Sequence, residues 1–211
     1  MAEAERLRKA RFAACFDEKK AAAYPEAEEI FHRAGENFEE VYTFLSKDEN
    51  PNRKKLLFSL ALKDAKDLKA SVLEDHLDCE QGDLPEEIFR KDLLCPRIFL
   101  EELTPYRSMI REFFEEETKH SFAEQPERIL DYLKKNITFH AEEEYDTIMA
   151  TPVGVLTMKQ GSPLAQKILF VAICRSLNVA ARLNPVTLEP EYYHNGAFHS
   201  VETEAAVLEE E

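Results

Sequence analysis

Cys15, Cys79, Cys95 and Cys174 are the side chains of this sequence that could supply a thiolate nucleophile. No two have the C-x-x-C spacing of a zinc knuckle or a dithiol redox motif, and four irregular thiols make no disulfide framework. They read as free, mostly buried thiols. His32, His76, His120 and His140 stand one to a segment without metal-ligand spacing, while His194 and His199 lie close together near the end. No HExxH, P-loop, GxGxxG or EF-hand pattern occurs, so neither a metal nor a cofactor is expected. With 42 acidic residues, pairing carboxylates for glycoside hydrolysis carries no information, and Glu142-Glu143-Glu144 reads as a solvated loop. Ser162 stands at a helix start, where capping a backbone N–H is the ordinary use of serine. Its use as a nucleophile needs an adjacent base, which no spacing supplies.

The totals bound the rest. A formal charge of −15 opposes binding to nucleic acid or anionic membranes, which begins with a basic patch. With 44% hydrophobic and 33% charged residues, the 211-residue chain can bury a core. Five glycines and no tryptophan suit helices better than a large all-β fold. No apolar run approaches the ~20 residues of a membrane span. The opening residues lack the apolar stretch of a signal peptide, and the compartment of the parent protein is left open.

The elements that must position these groups follow from periodicity. An opening helix carries Leu7, Phe12, Cys15 and Phe16 on one side and ends before Pro25. Ile30, Phe31, Ala34, Phe38, Val41, Tyr42 and Leu45 predict one long amphipathic helix. Leu68, Val72, Leu73 and Leu77 form a second stripe, and helices are expected to start at Pro85, Thr104–Pro105 and Pro126. ITFH (137–140) is either a short strand or the frayed end of a helix, and residues 152–161 read as a loop. Pro163 to Leu177 is apolar on nearly every face, as a helix buried on most sides must be, with Asn178 at its left-handed cap. Arg182 to Thr187 reads as a strand. Asn195-Gly196 predicts a type I′ hairpin between Tyr192–Tyr193 and Ala197–Val201. Tyr192, Tyr193 and Phe198 cluster on it, a partner surface where they stay exposed. The Glu209–Glu211 tail is expected to be disordered.

The run ILDYLKKNITF (129–139), a loop with Gly161, a buried helix and the phrase CRSLNVAAR (174–182) together resemble the transglutaminase-like, papain-related superfamily over about residues 126–202. Arg175 to Arg182 matches the superfamily phrase R-[small]-L-G-I-P-A-R in register, with Asn178 for the glycine and Ala180 for the proline. Segments 60–77 and 96–107 also look like the helical region of some large bacterial members. The resemblance implies an α+β, predominantly α fold: a helical N-terminal region over 1–122, then a transglutaminase-like core over 123–211, incomplete at its C-terminus.

It also implies a cysteine at the start of the buried helix, a histidine on the following strands and an aspartate on the next strand. Counting back from Arg182, the cysteine position falls on Pro163, beside Ser162. If GAFHSV (196–201) is the histidine strand, Gly196 takes the place of the histidine; if it is the aspartate strand, Glu202 replaces the aspartate. His194 and His199 are the nearby imidazoles. Three readings stay open. The first is a transglutaminase-like domain without catalysis that binds protein, peptide or cell-wall material. The second is an active cysteine enzyme completed by residues beyond the chain, and the third a helical interaction domain.

Overall fold

The structure, a computed structural model, describes residues 2–140 and 150–203; the acidic runs 142–144 and 209–211 and the side chain of Phe12 lie outside what it describes. The chain divides into two compact units, Met1–Leu77 and Asp78–Glu211.

The first unit is helical: α1 (Ala2–Cys15), α2 (Glu18–Ala21), α3 (Glu28–Ala34), α4 (Phe38–Ser46), α5 (Asn52–Leu57) and α6 (Ala70–His76). Its core holds Phe31, Phe38, Val41, Phe44, Leu56 and Leu73, all fully buried. The long helix expected over residues 30–45 is two helices. Gly35 turns the chain with φ +61°, a conformation that side chains with a Cβ resist, and a 3₁₀ turn follows it. The Asn37 amide then donates to Ala65 O (2.9 Å) and Leu68 O (2.8 Å), fixing the corner. The stripe survives because both helices bury the same side against one core.

Arg53 is the charged centre of this unit. It is 3% exposed, yet its guanidinium donates to both oxygens of Asp48 (2.8 and 2.7 Å), to Glu74 and to Phe44 O (3.1 Å). Five donors in a planar fork suit Arg for this role.

The second unit is α+β. After a turn at Gly82, α7 (Glu86–Ile88) runs on as a π-helix over Phe89–Leu94. Then come α8 (Tyr106–Phe113), α9 (Glu116–Glu124), α10 (Glu127–Asn136), β1 (Thr138–Phe139), α11 (Pro152–Met158), β2 (Gln160–Gly161), α12 (Pro163–Ser176), β3 (Ala181–Leu183), β4 (Pro190–His194) and β5 (Ala197–Ser200). Pro105 and Pro126 occupy cap positions, so α8 and α10 begin one residue after each. β1 pairs in parallel with β2, whereas β3, β4 and β5 form an antiparallel sheet in that order. The stretch read as a loop before Gly161 contains α11, which Thr151 caps by accepting from the Gly154 N–H (3.2 Å). β3 is shorter than expected. Asn184 ends it by accepting from the N–H groups of Val186 and Thr187.

One core joins α8, α10, α11, α12 and the sheet; Tyr106, Ile110, Phe114 and Phe122 lie in it with Leu133, Val155, Ile168 and Ala181. Tyr106, Ile110 and Phe114 of the α8 region and Phe122 of α9 thus share the core of α12. No helix among the described residues is long and apolar enough to cross a membrane.

Arg53 and the hydrogen bond from the Asn50 N–H hold the Asp48 carboxyl well below the usual carboxylate range. A depressed carboxylate stabilises the fold above its unfolded pKa of about 4, and that stabilisation fades as the pH falls below it. Arg53→Met is expected to destabilise the first unit by about 2 kcal/mol at pH 7 through lost charged hydrogen bonds. The gap from wild type should narrow below about pH 4. Hydrogen exchange of the α5 and α6 amides in the intact protein measures both.

Candidate functional site

The second unit is organised around α12. Pro163 fills its first position, where no backbone donor is needed, and the Ser162 hydroxyl accepts from the Ala165 N–H at 3.1 Å. Gly161 packs where a Cβ would meet Val155 at 3.2 Å and Ala165 at 3.3 Å, so α11 and α12 approach closely only over a glycine. At the other end Asn178 takes φ +62°, and the Val179 N–H donates to Cys174 O at 2.9 Å. Between these caps Ala165, Gln166 and every residue from Ile168 to Ser176 are buried.

Arginines on and around α12 hold the unit together through backbone carbonyls. Arg175, 2% exposed, donates to Cys95 O (2.7 Å), Arg97 O (2.9 Å) and Ala181 O (2.8 Å). Arg107 is fully buried and donates to Arg175 O (2.9 Å) and Leu93 O (2.8 Å). Arg111 reaches Ser176 O and Asp78. Glu101 closes the 95–105 loop from inside, accepting from the N–H groups of Ile98 and Phe99 at 2.8 Å each. Arg182 bonds Glu191 at 2.9 Å and lies 3.6 Å from the centre of the Phe198 ring. The two arginines that bound the phrase 175–182 are thus structural, one inside the core and one on the sheet.

The two ends of α12 carry different groups. Fourteen residues at 1.5 Å each make it about 21 Å long. At its start stand Ser162 and Pro163, with the His140 N–H donating to Gly161 O at 2.9 Å. One turn in, Lys167 bonds Glu189 (2.7 Å), whose other oxygen accepts from the Thr203 hydroxyl (2.8 Å). Burial opposes ionisation of Glu189, but the Lys167 and Thr203 hydrogen bonds outweigh it and hold its pKa below the usual range. The entry of β4 and the end of β5 therefore flank the first half of the helix.

His194 and Gly196 lie at the opposite end. His194 shares a cleft with Asn178, Val179 and Ala180, and Asn195 and Gly196 form the hairpin turn with φ +49° and +84°. The Asn-Gly pair and the hairpin strands are as the sequence predicts. His199 pairs across from Tyr192, stacks on its ring at 5.5 Å and faces His194 O with its Nε2 at 3.1 Å. Glu202 is exposed, and its neighbour Thr203 is the buried member of the network. The candidate residues are thus split: Ser162 and Pro163 at one end, His194 and Gly196 at the other, and no bond joins the two sets among the described residues.

Cys174 lies three turns along α12 with 0% exposure, and burial pushes its thiol well above the usual range. Cys95 is buried too, whereas Cys15 and Cys79 are partly exposed, so only half the thiols are enclosed. Burial also raises the Cys79 thiol, against the opposing influence of Arg107 and Arg111. Among the described residues no three histidine, cysteine, aspartate or glutamate side chains converge as a metal site requires. Lys167, Glu189 and Thr203 escaped the sequence reading, since pairings between distant segments leave no spacing to read.

A helix buried almost all round and backed by antiparallel strands makes the core of the second unit α+β. Residues 107–202 match the family model of the transglutaminase-like superfamily. The second unit carries a transglutaminase-like domain. Neither the curated proteins nor the solved structures include a match to the chain.

Two outcomes test this construction. Ser162→Ala removes a capping acceptor and is expected to cost about 1 kcal/mol in urea unfolding of the second unit, with Ser162→Gly costing less. Arg175→Lys keeps the charge but cannot reach three buried carbonyls; a loss of at least about 3 kcal/mol is expected in the same measurement.

Proposed function

We propose that this transglutaminase-like domain works without thiol catalysis, as a binding or scaffolding module toward protein, peptide or cell-wall material. One observation carries the reading. At the helix start, where the family resemblance calls for a thiol, Ser162 spends its oxygen on the Ala165 N–H, and Pro163 follows it. A nucleophile there needs a base within hydrogen-bond reach, about 3 Å. His194 lies at the far end of α12, and His199 faces Tyr192 and His194 O. Just before β4 and just after β5, Glu189 and Thr203 flank the first half of the helix, and Glu189 accepts from both Lys167 and Thr203. Cys174 does not substitute, because a fully buried thiol with a raised pKa holds almost no thiolate at neutral pH.

The matched domain also supports this choice over a purely helical interaction module, since α12 packs on a three-stranded sheet within residues 107–202. Incorporation of a fluorescent primary amine into a glutamine-rich protein, and hydrolysis of a peptide amide, are the measurements. The intact protein is expected to show neither above the blank, and Ser162→Ala is expected to behave identically. Turnover that disappears on Ser162→Ala, or on replacement of any one cysteine, would overturn the proposal.

A further inference from the structure

The second unit contains a cleft of about 430 Å³ at the C-terminal end of α12, away from Ser162. That volume is in the range of a ligand site and holds one long side chain with part of its backbone. Its walls come from the α9–α10 corner, from Asn178–Ala180 and from the end of β4. Glu124 and Glu127, the tyrosines Tyr192 and Tyr193 and His194 line it, while no lysine or arginine does.

We infer that this cleft takes a basic residue of a partner peptide, an arginine guanidinium or a lysine ammonium, beside its carboxylates. The inference deepens the binding role proposed above and rests on it.

Charge and shape both favour a cation. An anion would meet two carboxylates, with the His194 imidazole as the one basic group and no lysine or arginine in the lining. Glu127 opens α10 and accepts a hydrogen bond from the Tyr192 hydroxyl, so one carboxylate oxygen and one ring edge are already fixed in place. Burial, and then the bond to Glu127, push the Tyr192 hydroxyl up to about 12, so it stays a donor and adds no charge of its own. Part of the Glu127 charge meets the positive end of α10. Glu124 is free of that constraint; its ionic neighbour is His120 at 3.2 Å. Tyr193 is half-buried, held edge-on against Phe198 at 5.2 Å, and the same sheet already stacks a guanidinium, Arg182, on Phe198. A cation over a tyrosine face beside a carboxylate gains from both.

The test uses the intact protein and the blocked tripeptide acetyl-Gly-Arg-Gly-amide, followed by amide chemical shifts. Shifts are expected at residues 178–180 and 192–194, with binding about fivefold weaker for the citrulline peptide, which keeps the shape and loses the charge. The lysine peptide should occupy the same residues. Glu124→Gln, an exposed change that leaves the Tyr192–Glu127 bond intact, should weaken the arginine peptide by about fivefold as well. Tyr193→Leu should weaken it without abolishing the charge preference. Equal binding of citrulline, shifts mapping elsewhere, or no shifts at all would overturn the inference. Those outcomes leave the Ser162 assays untouched, and turnover in those assays would remove the non-catalytic reading while leaving the shifts in place.

Discussion

Burying a guanidinium is unfavourable unless its donors are used, and the second unit is arranged so that those of Arg175 are. Its fork takes carbonyls from the loop after the π-helix and from the first residue of β3. Arg107 then caps Arg175's own carbonyl from α8. The pattern differs from an ion pair. Carbonyl acceptors belong to the backbone, so the bonds fix chain paths rather than side-chain positions. The end of α12, the 95–97 loop, α8 and β3 are thereby set relative to one another, and the sheet inherits its place from β3. The first residue of the phrase 175–182 thus has a structural duty, whatever the helix start does.

This separates scaffold from chemistry. Arg175, Asn178, Ala181 and the close approach at Gly161 all serve the packing of α12. None of them depends on the identity of the side chain at residue 162 or 163. A serine cap and a proline at the first position make a better helix start than a reactive thiol does, because both satisfy the geometry of an N-terminus. Polar groups near that start are likewise consumed: Lys167 and Thr203 both donate to Glu189. An open cleft of the unit lies at the other end of the helix.

What the sequence disclosed follows from how local each signal is. α12 was legible because its burial is written in consecutive residues, and the hairpin because Asn195-Gly196 needs two positive φ angles that few other pairs tolerate. Asn178 as a left-handed cap and Ser162 as an N-cap were legible for the same reason. The break at Gly35 was hidden because the apolar stripe keeps its phase across it. α11 was hidden because seven residues hold too little periodicity, although Thr151-Pro152 is a helix-start signal. The burial of α8 in the core of α12 could not be read at all. It depends on Arg107 and Tyr106 meeting residues far along the chain, and the site residues Glu189 and Thr203 were missed for that same reason.

The carbonyl bonds of Arg175 reach 80 and 78 residues back along the chain. In the first unit the side-chain bonds that fix its corner and charged centre span 31 and 21 residues. Closing long loops is slow, since the ordering entropy must be spent before the contact is made. During synthesis the first unit can complete its own ties early. Segments 86–113 must wait for Arg175 to emerge and for β3 to follow it. For that interval the Cys95 and Arg97 carbonyls and the face of α8 that packs on α12 lack their folded partners. Exposed surface of that kind invites aggregation before a core closes.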